Sequence, residues 1–360
     1  MKTFIKLLVV ILALHISVSG VSGKVRYVDA SAFPLYGKAS DSTLTRYERL
    51  PASLEGKVRE SLWFLGRNSA GLFIRFRTNS SLVSVRWTSM FNVSMNHMTA
   101  TGTRGLDLYM LTDDGWRFVG AGRPVDRTTE SVIVSRMDRE EREYMLYLSL
   151  YDGVESLEIG VDDDALIGEP AVASPSSEEP VVMYGTSILQ GGCASRPGMA
   201  YTNIISRRID REVINLGFSG NALLDYEIAE LMASVEDPSL FVLDYVPNAS
   251  AEQIAEKGER FFRILRDRHP DVPVIFVEDP DFPHTIADNA IRKEVAEKNA
   301  AQSKLYRKLK KSGEKRIYYV SSDNLIGDDG EATVDGVHFT DLGMMRYVDK
   351  MLPVVRKAVR

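Results

Sequence analysis

One cysteine in 360 residues excludes an internal disulfide, so the fold must rest on a sizeable core. Cys193 is expected as a buried core thiol, the common role of a small lone thiol. Basic residues are not in excess: 44 Lys and Arg stand against 50 Asp and Glu, a net charge of −6. A nucleic-acid binder would show a basic face, and that partner class is set aside. Beyond the N-terminus no apolar run approaches the ~20 residues that a membrane helix needs, so no stable membrane span is expected. The five histidines show no His-x-x-x-His or clustered-cysteine spacing, and no metal is expected. Fixed-period repeats, heptads and low-complexity tracts are missing too. What remains is an ordinary globular composition, 44% hydrophobic and 26% charged, in a chain long enough for two domains.

Residues 1–23 read as an export signal, with Lys2 and Lys6, the apolar stretch "LLVVILALHISVS" and small residues in "GVSG". A retained N-terminal anchor is the alternative. The mature protein is expected to be exported, to the periplasm or beyond.

Residues 24–165 carry short alternating runs that predict an all-β sandwich, jelly-roll-like. "GLFIRFRT" and "LVSVRW", joined by "NSS", have the pattern of a hairpin with one buried face. "LDLYML" and "WRFVGA" flank "TDDG", whose Asp-Gly pair suits a tight turn. "SVIVS", "EYMLYLSL" and "VESLEIGV" add three more strands. A Met-rich loop, 89–104, is expected either as a lid over a crevice or as a domain contact, with Met98 a candidate substrate contact. Residues 166–180 lose all periodicity and read as a linker.

From 181 to 360 the pattern changes to apolar runs separated by helical segments. "PVVMYG", "EVINLG", "LFVLDYV", "VPVIFVE" and "RIYYVSS" read as strands buried on both faces. Strand–helix alternation over this length predicts an α/β domain, a parallel sheet between two helical layers. In such sheets the ligand crevice lies at the carboxyl ends of the strands. Four chemistry-bearing pieces fall at those ends or just before the last helix: Ser187, "NLGFSGN" (215–221), "DYVPNAS" (244–250) and "DGVHFTDLG" (335–343). Each has a plain reading as a helix cap or a turn. Together they supply an acyl-transfer set. Ser187 is the candidate nucleophile, His338 its base and Asp335 the carboxylate that orients the imidazole. The backbone N–H groups of Ser187 and Gly220 and the Asn248 amide are candidate oxyanion donors. Arg196, just past the nucleophile, is a candidate substrate contact or a brace for its own loop.

These blocks resemble the SGNH (GDSL-type) hydrolase superfamily: "GTSILQGG" is similar to its first block, "NLGFSGN" to the second, "DYVPN" to the third and "DGVHFTDLG" to the fifth. "GLDLY", 105–109, resembles a motif of the β-domain that precedes one bacterial branch, and brings Asp107 into the candidate substrate-side set. The chain departs from the pattern at Thr186, where most members have Asp, and at Val246–Pro247 and Ala249 around Asn248. The resemblance implies a flavodoxin-like three-layer α/β/α domain and the same triad and oxyanion residues. It also implies a serine esterase without a cofactor, acting on small acyl esters, acetyl foremost, of a small molecule or a polysaccharide. A lipase, thioesterase or arylesterase with the same site is the alternative, and a non-catalytic carbohydrate-binding protein a more distant one.

Overall fold

The computed structural model describes residues 24–359; residues 1–23, read from the sequence as an export signal, lie outside the described residues. The first half contributes β1 (Val25–Asp29), β2 (Leu35–Tyr36), β3 (Phe73–Thr78), β4 (Val83–Ser89), β5 (Leu106–Thr112), β6 (Gly115–Gly122), β7 (Thr128–Val134), β8 (Arg142–Tyr147), β9 (Val154–Asp162) and β10 (Ile167–Gly168). They form two antiparallel sheets. One runs β1-β9-β4-β7, and the other runs β10-β3-β8-β5-β6 with β2 paired to β3. Alternation explains the sandwich: Ile74 and Phe76 of β3 and Val83, Val85 and Trp87 of β4 point inward to one shared core. β5 and β6 form the expected hairpin, Thr112 opposite Gly115. The hairpin expected between β3 and β4 is not there. The two strands lie in different sheets, and "NSS" is a corner between them. A strand's alternation shows which side is apolar, and an inward side is the same for either partner sheet.

Two short helices, α1 (Glu60–Gly66) and α2 (Ala100–Arg104), interrupt the sandwich. The 166–180 segment also holds more order than a linker, since β10 and the start of the next strand fall within it.

The second half is a five-stranded parallel sheet of β11 (Ser176–Gly185), β12 (Arg211–Gly217), β13 (Leu240–Asp244), β14 (Val274–Val277) and β15 (Ile317–Val320). Its order, β12-β11-β13-β14-β15, is the flavodoxin-like 2-1-3-4-5 arrangement. The helices are α3 (Ser187–Gln190), α4 (Tyr201–Ile209), α5 (Tyr226–Ala233), α6 (Ala251–Arg268), α7 (Asn289–Lys311) and α8 (Asp341–Ala358). The period of two along β11 splits its core. Val181 and Met183 pack with α3, α4 and α8, whereas Val182 and Tyr184 face α5 and α6. α6 begins with a reciprocal capping box between Ser250 and Gln253. Among the described residues no helix is long and apolar enough to cross a membrane.

Candidate active site

β11 ends at Gly185, where a Cβ would collide with the carbonyl of Asp244 on the neighbouring strand. Thr186 then caps α3 by accepting the Ile188 N–H at 3.3 Å, which puts Ser187 at the first helical position. A backbone N–H there has no acceptor inside the helix and is free for a ligand. Thr186, the departure from the usual Asp, is thus fully buried as the cap of the nucleophile helix. The Ser187 carbonyl accepts from Gly192 N–H at 2.7 Å and from the Tyr151 hydroxyl at 3.2 Å, a β-domain side chain.

The loop before α8 is shaped by its own residues. Asp335 accepts the backbone N–H groups of Val337 at 3.1 Å and His338 at 2.8 Å. Gly336 takes φ +93°, a left-handed conformation open to glycine, so the loop folds back on itself. His338 is thereby turned toward α3. Its Nδ1 lies 2.7 Å from Asp335 Oδ2, and its Nε2 lies 2.9 Å from Ser187 Oγ. With Nδ1–H donating to the carboxylate, Nε2 is the acceptor for the serine hydroxyl proton. Partial burial raises the Asp335 carboxyl, but the hydrogen bonds from the His338 ring and the two N–H groups prevail and hold it at about 2. Asp341, one residue past the cap of α8, accepts the backbone N–H of Ser195 at 2.9 Å and so joins this loop to the nucleophile's.

Gly220 sits exposed after β12 at φ +65°. Asn248, after β13, turns its Oδ1 to the Ala222 N–H at 3.3 Å, leaving its Nδ2 for a ligand. All of these groups share the carboxyl edge of the sheet. A hollow of about 750 Å³ that includes Pro180, Ser239 and Pro273 lies at the opposite edge, away from the triad. On the triad side, a groove of about 600 Å³ runs between Phe64, Leu65, Val93, Met95 and Tyr151 of the β-domain and Ser219.

The GDSL-like lipase/acylhydrolase family model matches residues 178–356, and the N-terminal domain of SGNH-type esterases, with its GxDLY motif, matches 25–167. A GDSL-like lipase of known structure from Bacteroides ovatus is 38% identical over 93% of this chain and 98% of that one, with a TM-score of 0.89. The chain belongs to the GDSL-like lipase/acylhydrolase family. It is an ester-bond hydrolase of that family. A salicylyl-acyltransferase from a tetracycline biosynthetic pathway shares the fold at 18% identity, over 93% of this chain and 99% of that one (TM-score 0.76). So does a family two carbohydrate esterase from Clostridium thermocellum, at 12% identity over 80% and 92% (TM-score 0.57). No curated protein matches.

Within this GDSL-type architecture three of the expected substrate contacts find other work. Asp107 is fully buried, binding Arg196 Nη1 at 2.6 Å and the Gly198 N–H at 3.0 Å. Burial raises its carboxyl to about 6 against the pull of Arg196. It cannot meet a substrate. Arg196 also donates to the Tyr109 hydroxyl at 2.6 Å and lies over the Phe118 ring, so it braces its loop against the β-domain. Met98 is buried in the same core as Ile188, Leu189 and Cys193 of the α/β half, a domain contact and not a crevice wall. His284 lies beside Gly336.

Other residues join the site without a signal in the chain. Fully buried Gln190, on α3, accepts the Ser219 N–H at 3.0 Å and donates to Leu150 O at 3.0 Å and Asn68 Oδ1 at 3.1 Å. His97, from the Met-rich loop, stands with its ring 5.5 Å from that of His338. The expectation of no metal-ligand cluster also changes, because folding brings His97, Cys193 and His338 together from distant segments.

Proposed function

We propose that this family member is an exported serine esterase that removes small acyl groups, acetyl foremost, from carbohydrate. The relay Ser187 Oγ–His338 Nε2–Nδ1–Asp335, at 2.9 and 2.7 Å, carries the reading. As the Ser187 oxygen attacks the ester carbonyl, His338 takes its proton, and Asp335, still ionised, holds the imidazolium. The developing oxyanion is received by the N–H groups of Ser187 and Gly220 and by Asn248 Nδ2. His338 then protonates the leaving alcohol, and a water activated by the same ring hydrolyses the acyl-enzyme. No step calls for a cofactor. The carbohydrate part is supported by the shared fold with the family two carbohydrate esterases, one of them in complex with cellohexaose.

One observation favours a second reading. The apolar groove of about 600 Å³ beside Ser219 is far larger than an acetyl methyl, which suits an aryl or longer acyl group.

The test is hydrolysis of a small aryl acetate by the mature chain beside Ser187→Ala, followed by acetylated polysaccharides and longer acyl esters. Activity lost in Ser187→Ala, with a preference for the acetylated polysaccharide, is the expected result. Preference for aryl or long-chain esters selects the second reading. Equal rates in both proteins, with no labelling of Ser187 by an active-site phosphonate, would sink the esterase mechanism.

A further inference from the structure

Cys193 Sγ and one ring nitrogen each of His97 and His338 lie within 4.8 Å of one another. The three come from separate segments: the loop between β4 and α2, the turn after α3 and the loop before α8. Each is oriented by its surroundings. His97 Nδ1 lies 3.0 Å from Asn96 Oδ1, and His338 Nδ1 is held by Asp335. Both rings therefore keep Nε2 free of a carboxylate or amide oxygen, the arrangement in which histidines ligate metals. Cys193 is held at φ +65°, a conformation rarely taken by a residue with a side chain. It follows Gly192, where a Cβ would stand 3.0 Å from His338 Cδ2, so the chain passes directly against the edge of the ring that carries Nε2. The thiol donates to the His97 carbonyl at 3.3 Å.

We propose that His97, Cys193 and His338 form an inhibitory site for a borderline-soft divalent cation of the Zn²⁺ class. One thiolate and two imidazoles make a three-ligand set, and a tetrahedral ion has a fourth position for water or for Ser187 Oγ. Ligand atoms about 3.5 Å apart suit such an ion, so the three need close by only ~1 Å through side-chain rotation. Binding forms one metal–sulfur and two metal–nitrogen bonds and releases the thiol proton to solvent. The ion takes the Nε2 lone pair of His338, which then cannot receive the Ser187 proton, and ester hydrolysis stops. Sulfur and nitrogen ligands discriminate against Mg²⁺ and Ca²⁺, which prefer oxygen. The inhibitory consequence rests on His338 being the catalytic base, whereas the binding itself does not.

The experiment titrates the chelator-treated mature chain with ZnCl₂ while aryl acetate hydrolysis is followed, beside Cys193→Ser and His97→Gln. CoCl₂ serves in parallel as a spectroscopic probe. Expected are inhibition reversed by EDTA, no effect of MgCl₂, and a Zn²⁺ affinity weaker by about tenfold or more in each variant. Cys193→Ser should keep its metal-free activity, and for His97→Gln the Zn²⁺ affinity is read relative to its own metal-free rate. Co²⁺ should give a thiolate-to-metal charge-transfer band in the wild type that is absent from Cys193→Ser. Equal inhibition of all three proteins, or no thiolate band, overturns the site. If no protein hydrolyses the ester, the Co²⁺ band alone decides the site, and the esterase reading fails separately.

Discussion

Asn248 divides its amide between protein and ligand. Its Oδ1 is committed to the Ala222 N–H, so Nδ2 is the end left for an oxyanion. Asn248→Asp keeps the acceptor and loses the donor, and should lower kcat by about 10²–10³ with KM little changed. Steady-state kinetics on an aryl acetate check it; an unchanged kcat would remove Asn248 from the oxyanion set. Asp279 poses a different question of charge. It is almost fully buried after β14, and its Oδ1 has no partner among the described residues. Burial pushes its carboxyl up to about 8 against the opposing charge of Lys298. In the unfolded chain the same group titrates near ~4. Between those values the folded protein holds a proton that the unfolded chain has released, so stability falls as pH rises through the window. Asp279→Asn should remove that slope. Its melting temperature should match the wild type below about pH 4 and exceed it increasingly up to about pH 8, above which the difference levels off. Parallel curves at every pH would mean that Asp279 is not the group responsible.

At the scale of the element, α3 is too short to persist alone, since isolated helices under about 12 residues are marginal in water. Its hold comes from Thr186 at one end and from Gln190 at the other. Gln190→Met keeps the volume but leaves the buried Leu150 carbonyl and Asn68 Oδ1 without their donor, about 1–3 kcal/mol for each, and the Ser219 N–H without its acceptor. It also releases the loop that carries Gly220. Urea unfolding should show the lost stability, and kcat should fall more than KM rises. Lost stability with an intact kcat would show that Gly220 keeps its orientation without Gln190. None of this was legible in the chain, because Gln190 is an ordinary polar residue whose role is created by partners up to 122 positions away. Ser187, Asp335 and His338 were legible as a group, since their chemistry is restricted and their order matched strand ends. Regular elements also came through: the helical segment expected between "LFVLDYV" and "VPVIFVE" is α6. Alternation gave β3 and β4 but not their sheets, and the helix α4 was hidden behind the turn signals of "GGCASRPGMAY".

Over the whole molecule, the β-sandwich keeps a core of its own, but the β-half also contributes to both cores of the parallel sheet. Leu50 and Leu62 belong to the core that covers one face of the parallel sheet, and Ala70, Met98, Leu150 and Tyr151 to the core on the other. Arg49, 1% exposed, stitches them together. It donates to the carbonyls of Leu65 and Asn68 in its own half and of Asn215 and Gly217 at the end of β12. Burial lowers its guanidinium to about 9, and the four carbonyls stand in for the absent carboxylate. Shared cores imply shared cooperativity, so calorimetry of residues 24–360 should show one unfolding transition. Arg49→Met leaves those carbonyls without their donor, a loss on the order of 3 kcal/mol, and should move that single transition down by several degrees as a unit. A scan in which Arg49→Met splits the endotherm, with the parallel-sheet half melting where it did before, would show instead that the β-domain is an appendage to an independently stable catalytic core.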